Sequence, residues 1–200
     1  NYNIMADIKQ TIQDFYKVAQ TRDFARDFQF RVLDVSNKGV SVFTEDDLVY
    51  ATAASLPGKS IATKDVPYNG FNFRIPGTVS YNDSDAYTID FYCDATTNAR
   101  IAIENWITET YNDETTTGDG VLHNNSTITL AQLDTKFEVL RTYKLFGVFP
   151  VNCGDIGYTM TGSGDVANVT IQCAYQFFRR DNELNTAVNA IGKLAGAVLG

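Results

Sequence analysis

The chain is poor in the residues that build chemical sites. It has one histidine, one tryptophan, four prolines and three cysteines in 200 residues. The cysteines, Cys93, Cys153 and Cys173, are odd in number and far apart, with no C-x-x-C pair. That excludes a disulfide framework and a cysteine-based zinc site, and it predicts synthesis in a reducing compartment. No apolar run is long enough to span a bilayer as a helix, and the start lacks a basic stretch followed by an apolar one, so neither membrane insertion nor export is expected. Positive charge is also short: 16 Lys and Arg stand against 24 Asp and Glu, a formal net charge of −8. A protein that grips nucleic acid does so by neutralising phosphates, so an acidic chain is expected to let nucleic acid pass without holding it.

Catalytic and ligand motifs fail on inspection. His123 lies in a polar loop with no companion ligand evident in sequence, the ordinary setting of a solvated histidine. Gly58-Lys59-Ser60 ends like a phosphate-binding loop, but position 53 is Ala53 where that motif needs glycine. Gly162-Ser163-Gly164-Asp165 precedes a strand and has Ala167 in place of the third dinucleotide-loop glycine, so it reads as a turn. The acidic groups at 45–47, 83–85 and 113–114 lack calcium-loop spacing. The sequons at Asn82, Asn124, Asn125 and Asn168 carry weight only in a secreted eukaryotic protein. No catalytic residue, metal ligand or cofactor-binding residue is assigned, and no enzyme is expected.

What the chain has is β pattern and aromatics, with 13 Phe and 11 Tyr. Residues 3–20 space Ile4, Ile8, Ile12 and Phe15 as an amphipathic helix. The period then becomes two. Phe28 to Val35 reads as a strand with a slip, followed by a turn at Asn37-Lys38-Gly39 and a strand over 48–54. Leu56-Pro57-Gly58 breaks the chain, and short extended pieces at 61–68, 71–75 and 78–81 are separated by turns at Asn69-Gly70 and Pro76-Gly77. Tyr87, Ile89, Phe91 and Cys93 share one strand face, and residues 98–111 form the helix that carries Trp106. Residues 112–131 read as a polar loop. Long strands are expected over 136–145, with Val139, Arg141, Tyr143 and Leu145 on one face, and over 169–177. Pro150 is expected where the first of these has left its sheet, with Asn152 and Gly154 making the turn. Leu184, Val188 and Ile191 give the end a helical spacing. The expected fold is mainly β, an antiparallel sandwich or open barrel with one central α-helix and helical extensions at both ends, divided as 1–21, 22–180 and 181–200. Its sheet edges need covering.

The order of FRVLDV (30–35), ASLPGKSI (54–61), NWITETYND (105–113), YKLFGVFPVNCGDIGYTM (143–160) and NVTIQCAYQFF (168–178) resembles the tail tube proteins of contractile-tailed bacteriophages. The resemblance covers about residues 22–179. Cys153 and a long 112–131 segment depart from it, and the terminal stretches extend beyond it. It implies a structural subunit forming stacked hexameric rings, with sheets joined edge to edge into an inner barrel that conducts DNA during ejection. The implied partners are other copies of the chain, a contractile sheath, a tape-measure protein and the baseplate and neck tube proteins, in a virion tail assembled in the bacterial cytoplasm. An acidic lumen would repel DNA and let it slide. Interface candidates are Leu56, Pro57, Gly58, Phe149, Pro150, Val151, Leu184, Val188 and Ile191. Three related roles fit the same pattern: tube initiator, tube terminator, or tube of a bacterial contractile injection system. A monomeric glycan-binding β-sandwich is the alternative from another class.

Overall fold

The computed structural model describes residues 12–22, 24–162 and 164–181. Helix α1 (Ile12–Thr21) is followed by strands β1 (Phe30–Asn37) and β2 (Val40–Ser41), then by helix α2 (Glu45–Val49) and strand β3 (Ala51–Ala54). A long hairpin, β4 (Lys59–Tyr68) and β5 (Phe71–Tyr81), leads to β6 (Tyr87–Tyr92) and helix α3 (Asn98–Thr110). The chain continues through β7 (Tyr111–Asn112), β8 (Thr117–Gly118), β9 (Thr127–Leu133), β10 (Val139–Phe146), β11 (Phe149–Cys153), β12 (Asn168–Ala174) and β13 (Phe177–Asp181). The beginning of the expected N-terminal helix and all of 182–200, with Leu184, Val188 and Ile191, lie outside the described residues.

Two antiparallel sheets pack face to face, in the orders β13-β10-β9-β1-β2 and β11-β12-β6-β3. Strict alternation on β6 and β12 sends Tyr87, Ile89, Phe91, Val169, Ile171 and Cys173 inward, where they meet Val32, Val35, Ile128, Leu130 and Leu145 of the other sheet. Helix α3 adds Ala99, Ile103 and Trp106 to this core and packs beside β11. The carboxylate of Asp94 starts α3, its Oδ1 accepting from the Asn98 N–H at 3.0 Å. Each large core side chain stabilises the fold by roughly 1.5–3 kcal/mol. The expected sandwich with one central helix is the observed architecture, and the slip in β1 is a bulge between Val32 and Asp34.

Five local readings are corrected. Residues 48–54 do not form one strand: Thr44 and Asp47 make a capping box, which starts a helical turn and leaves Leu48 buried on α2. The segment 112–131 is not a loop throughout, because it contains a small hairpin and β9, the central strand of the five-stranded sheet. On β10 Tyr143 and Leu145 pack on the core as expected, but a register shift between Val139 and Arg141 interrupts the alternation, so that Val139 joins a separate cluster with Ala131 and Leu133 and Arg141 is exposed. Residues 169–177 are not one strand either. The chain leaves the four-stranded sheet after Ala174, crosses at Tyr175 and Gln176, and pairs with β10 in the other. The earlier crossing falls at Gly147, whose φ of +65° suits glycine and where a Cβ would sit 2.7 Å from Gln176 Cγ. Pro150 therefore does not lie beyond a ladder. It is buried on β11, an edge strand with a bulge between Pro150 and Asn152, where a missing N–H is tolerated.

Candidate interaction surfaces

The expected breaks at Asn69-Gly70 and Pro76-Gly77 behave differently. Asn69 and Gly70, with φ of +51° and +82°, make the two-residue turn between β4 and β5. Pro76-Gly77 makes no turn: it lies within β5 at a register shift, so the three short pieces form one ladder from Lys59–Tyr81 to Tyr68–Phe71. Because side chains alternate, the pairs Tyr68/Phe71, Val66/Phe73 and Lys64/Ile75 share one face, while Pro67/Asn72 and Asp65/Arg74 share the other. Asp65 and Arg74 form an ion pair at 3.3 Å there. The hairpin is thus amphipathic, but its strands contribute no buried residue. Its apolar face lies open, with Tyr68 70% and Phe71 72% exposed. A two-stranded ribbon in water is marginal on its own, so an uncovered apolar face of this length is a candidate contact surface.

The hairpin springs from one end of the sandwich. At its root the Asn82 N–H donates to the Gly58 carbonyl, the Tyr175 hydroxyl donates to the Asn82 carbonyl, and Tyr81 packs edge-on against Phe178. Phe178 pairs with Leu145, near the finish of β10. The start of β10, eight residues long and so roughly 25 Å away, carries a second apolar feature. In the turn between β9 and β10, Phe137 is 63% exposed with φ of +60°, and its ring lies 6.3 Å from that of Phe28, itself 54% exposed. Helix α1 is a third such feature, with Ile12, Phe15 and Val18 exposed and Phe15 stacked on Phe24 at 6.0 Å.

The expected interface residues that are described fall in two places. Leu56, Pro57 and Gly58 lead from edge strand β3 into the hairpin, with Leu56 exposed and the other two partly covered. Phe149, Pro150 and Val151 lie on edge strand β11, where Val151 is exposed, Phe149 partly covered and Pro150 buried. These edges lie on opposite sides of the four-stranded sheet. The apolar face of the hairpin escaped the sequence reading, although the alternation of Val66, Tyr68, Phe71, Phe73 and Ile75 about Asn69-Gly70 was a signal for it.

His123 is a partly exposed loop side chain, as expected, but it has a partner. Its Nε2 lies 2.8 Å from Asp119 Oδ2, which also accepts an ion pair from Lys38 Nζ at 2.6 Å. These bonds hold the Asp119 carboxyl well below the usual carboxylate range and tie the segment before β9 to the β1–β2 turn. The same residues line a cavity of about 260 Å³ beside Trp106 and Phe149. Burial pushes the Cys173 thiol up strongly and those of Cys93 and Cys153 less so, which leaves them poorly nucleophilic. Among the described residues no group of three or more His, Cys, Asp or Glu could hold a metal ion. Nor, among them, is any helix long and apolar enough to cross a membrane.

The family profile for phage tail tube proteins matches residues 19–181, the span from the end of α1 to the end of β13. The chain belongs to the phage tail tube protein family. Solved structures share the fold at low identity. One, from the tube-terminating cap of the anti-feeding prophage, is 17% identical over 90% of this chain and 99% of its own, with a TM-score of 0.55. Another, from the sheath/tube terminator of the extracellular contractile injection system PVC in its extended state, is 15% identical over 80% and 98%, also with a TM-score of 0.55. No curated protein matches the chain by sequence. This tail tube family member is thus a structural protein by family.

Proposed function

We propose that this protein is the repeating subunit of a phage tail tube, in which six copies close into a ring and the rings stack inside a contractile sheath. The observation that carries the reading is the β4–β5 hairpin, whose apolar face is left uncovered by the described residues of a single copy. A head-to-tail contact between identical subunits covers such a face, and closes into a ring or repeats into a tube according to its rotation. Within a ring, Leu56, Pro57 and Gly58 beside β3 and Phe149, Pro150 and Val151 on β11 offer two different edges of one sheet, the requirement for a heterologous contact. Leu184, Val188 and Ile191 are proposed to pack against a neighbouring ring. The remaining partners are the sheath, the tape-measure protein, the baseplate and neck tube proteins, and DNA. The chain's net charge of −8 supports passage of DNA without retention. On this reading the protein resides in the virion tail after assembly in the bacterial cytoplasm and has no catalytic step.

Light scattering and negative-stain microscopy of the purified chain test this. Sixfold rings with an open channel that stack into tubes are expected. Single rings that bind only to tube ends would make it a terminator, and a monomer at all concentrations would overturn the reading.

A further inference from the structure

We infer that the apolar face of the β4–β5 hairpin seats on the Phe28–Phe137 aromatic pair of a second copy, at the opposite end of the sandwich. The inference rests on the tube reading and specifies which surface meets which. Its first support is placement. The hairpin leaves the molecule where β10 finishes, and the aromatic pair sits where β10 begins. Copies repeating in the same direction bring these two ends together, whereas two identical ends never meet in a head-to-tail repeat.

The second support is the backbone of Phe137. A φ of +60° on a bulky side chain is disfavoured, and glycine or asparagine would hold the turn without strain. The turn is otherwise well made: Asp134 Oδ1 accepts from the Lys136 and Glu138 N–H groups, both at 2.8 Å. Yet Phe137 turns 63% of its surface to solvent, so within one copy the ring contributes little burial in return for its strained backbone. A partner that covers the ring supplies the missing return.

The third support is size and charge. Tyr68, Phe71 and Phe73 on one side and Phe28 and Phe137 on the other are each more than half exposed. At about 200 Å² per aromatic ring they hide on the order of 600 Å² before any backbone or rim is counted, so with flanking strand a standard interface of about 1,200 Å² is within reach. The hairpin carries Lys59, Lys64 and Arg74 against Asp65, a surplus of positive charge in an acidic chain. Asp27, Asp134 and Glu138 flank the aromatic pair, tempered by Arg26 and Lys136.

The test pairs a hairpin cysteine with a turn cysteine. Chains carrying Phe71→Cys are mixed with chains carrying Phe137→Cys under assembly conditions and treated with a short bismaleimide, with the wild-type chain, which keeps its own three cysteines, as control. Covalent dimers in the mixture, absent from either variant alone and from the wild type, are expected. Assemblies seen by microscopy without that cross-link would overturn the seat and leave the tube reading standing, whereas failure of the wild-type chain to assemble would overturn both. In the double variant, a cross-link confined to single chains would also overturn the seat. Phe137→Gly guards against a folding artefact. It removes the ring and suits the positive φ, so the monomer should melt no lower than wild type while self-association weakens at least tenfold. Unchanged association, or loss of the fold, would overturn the inference. Deleting 182–200 should leave the cross-link in place; its loss would show that this segment, not the hairpin, governs the contact.

Discussion

The sandwich and the β4–β5 hairpin are built from the same alternation, with opposite outcomes. On β6 the inward residues Tyr87, Ile89 and Phe91 meet a second sheet and α3, and each is at most 2% exposed. On the hairpin the same pattern puts Val66, Phe73 and Ile75 on one face, and all three remain at least 40% exposed. Alternation makes a face, and only a second layer makes a core. The sandwich contains its second layer, whereas the hairpin needs one from elsewhere.

Three measurements test that contrast, ordered by their expected effect on the monomer. Phe91→Ala leaves a cavity between the sheets and should cost about 3–5 kcal/mol, lowering the melting temperature by roughly 10 °C. A shift of only a degree or two would mean that the core is loosely packed. Acid should act next, and locally. Asp119 stays ionised in the fold to a pH well below that at which it protonates in the unfolded chain, so its contribution is complete above about pH 5 and fades as the pH falls below the ordinary carboxylate range. Once the intrinsic slowing of exchange in acid is divided out, amide protection around residues 119–126 should therefore fall between pH 6 and pH 3 by more than that of the core, and Asp119→Asn should remove that difference. The smallest effect belongs to Phe73→Ser, which should leave monomer stability within about 0.5 kcal/mol of wild type while abolishing assembly. A large drop in monomer stability would mean that the hairpin face is already covered within one chain.

The elements legible in sequence were those with one buried face. Strands β6 and β12 alternate because one side meets the core and the other does not. Strand β9 was illegible for the opposite reason. It lies between β1 and β10 with both faces covered, so Thr127 and Thr129 are as deeply placed as Ile128 and Leu130 and the pattern reads as polar loop. The crossing at Tyr175 and Gln176 left no mark, because Phe177 prolongs the odd-numbered apolar run of β12 in the sequence, although the residue of β13 that packs on the core is Phe178. Helix α2 did carry its signal, the Thr44 to Asp47 capping box, inside a run that otherwise suited a strand. The hairpin strands were visible as pieces. Their open face required knowing that the neighbouring layer belongs to none of the described residues.

The two crossings, at Gly147 and at Tyr175–Gln176, lie side by side, joined by the Gln176 N–H donating to the Phe146 carbonyl at 2.9 Å. A force that slides one sheet past the other meets more than dispersion contacts and hydrogen bonds, which give way singly. It must pull on two continuous backbones at the same end of the molecule. That end is also the root of the hairpin, so load arriving through the hairpin enters the subunit where the sheets are covalently tied. Among the described residues the opposite end has no such pair of ties, and there the sheets should splay first under strain.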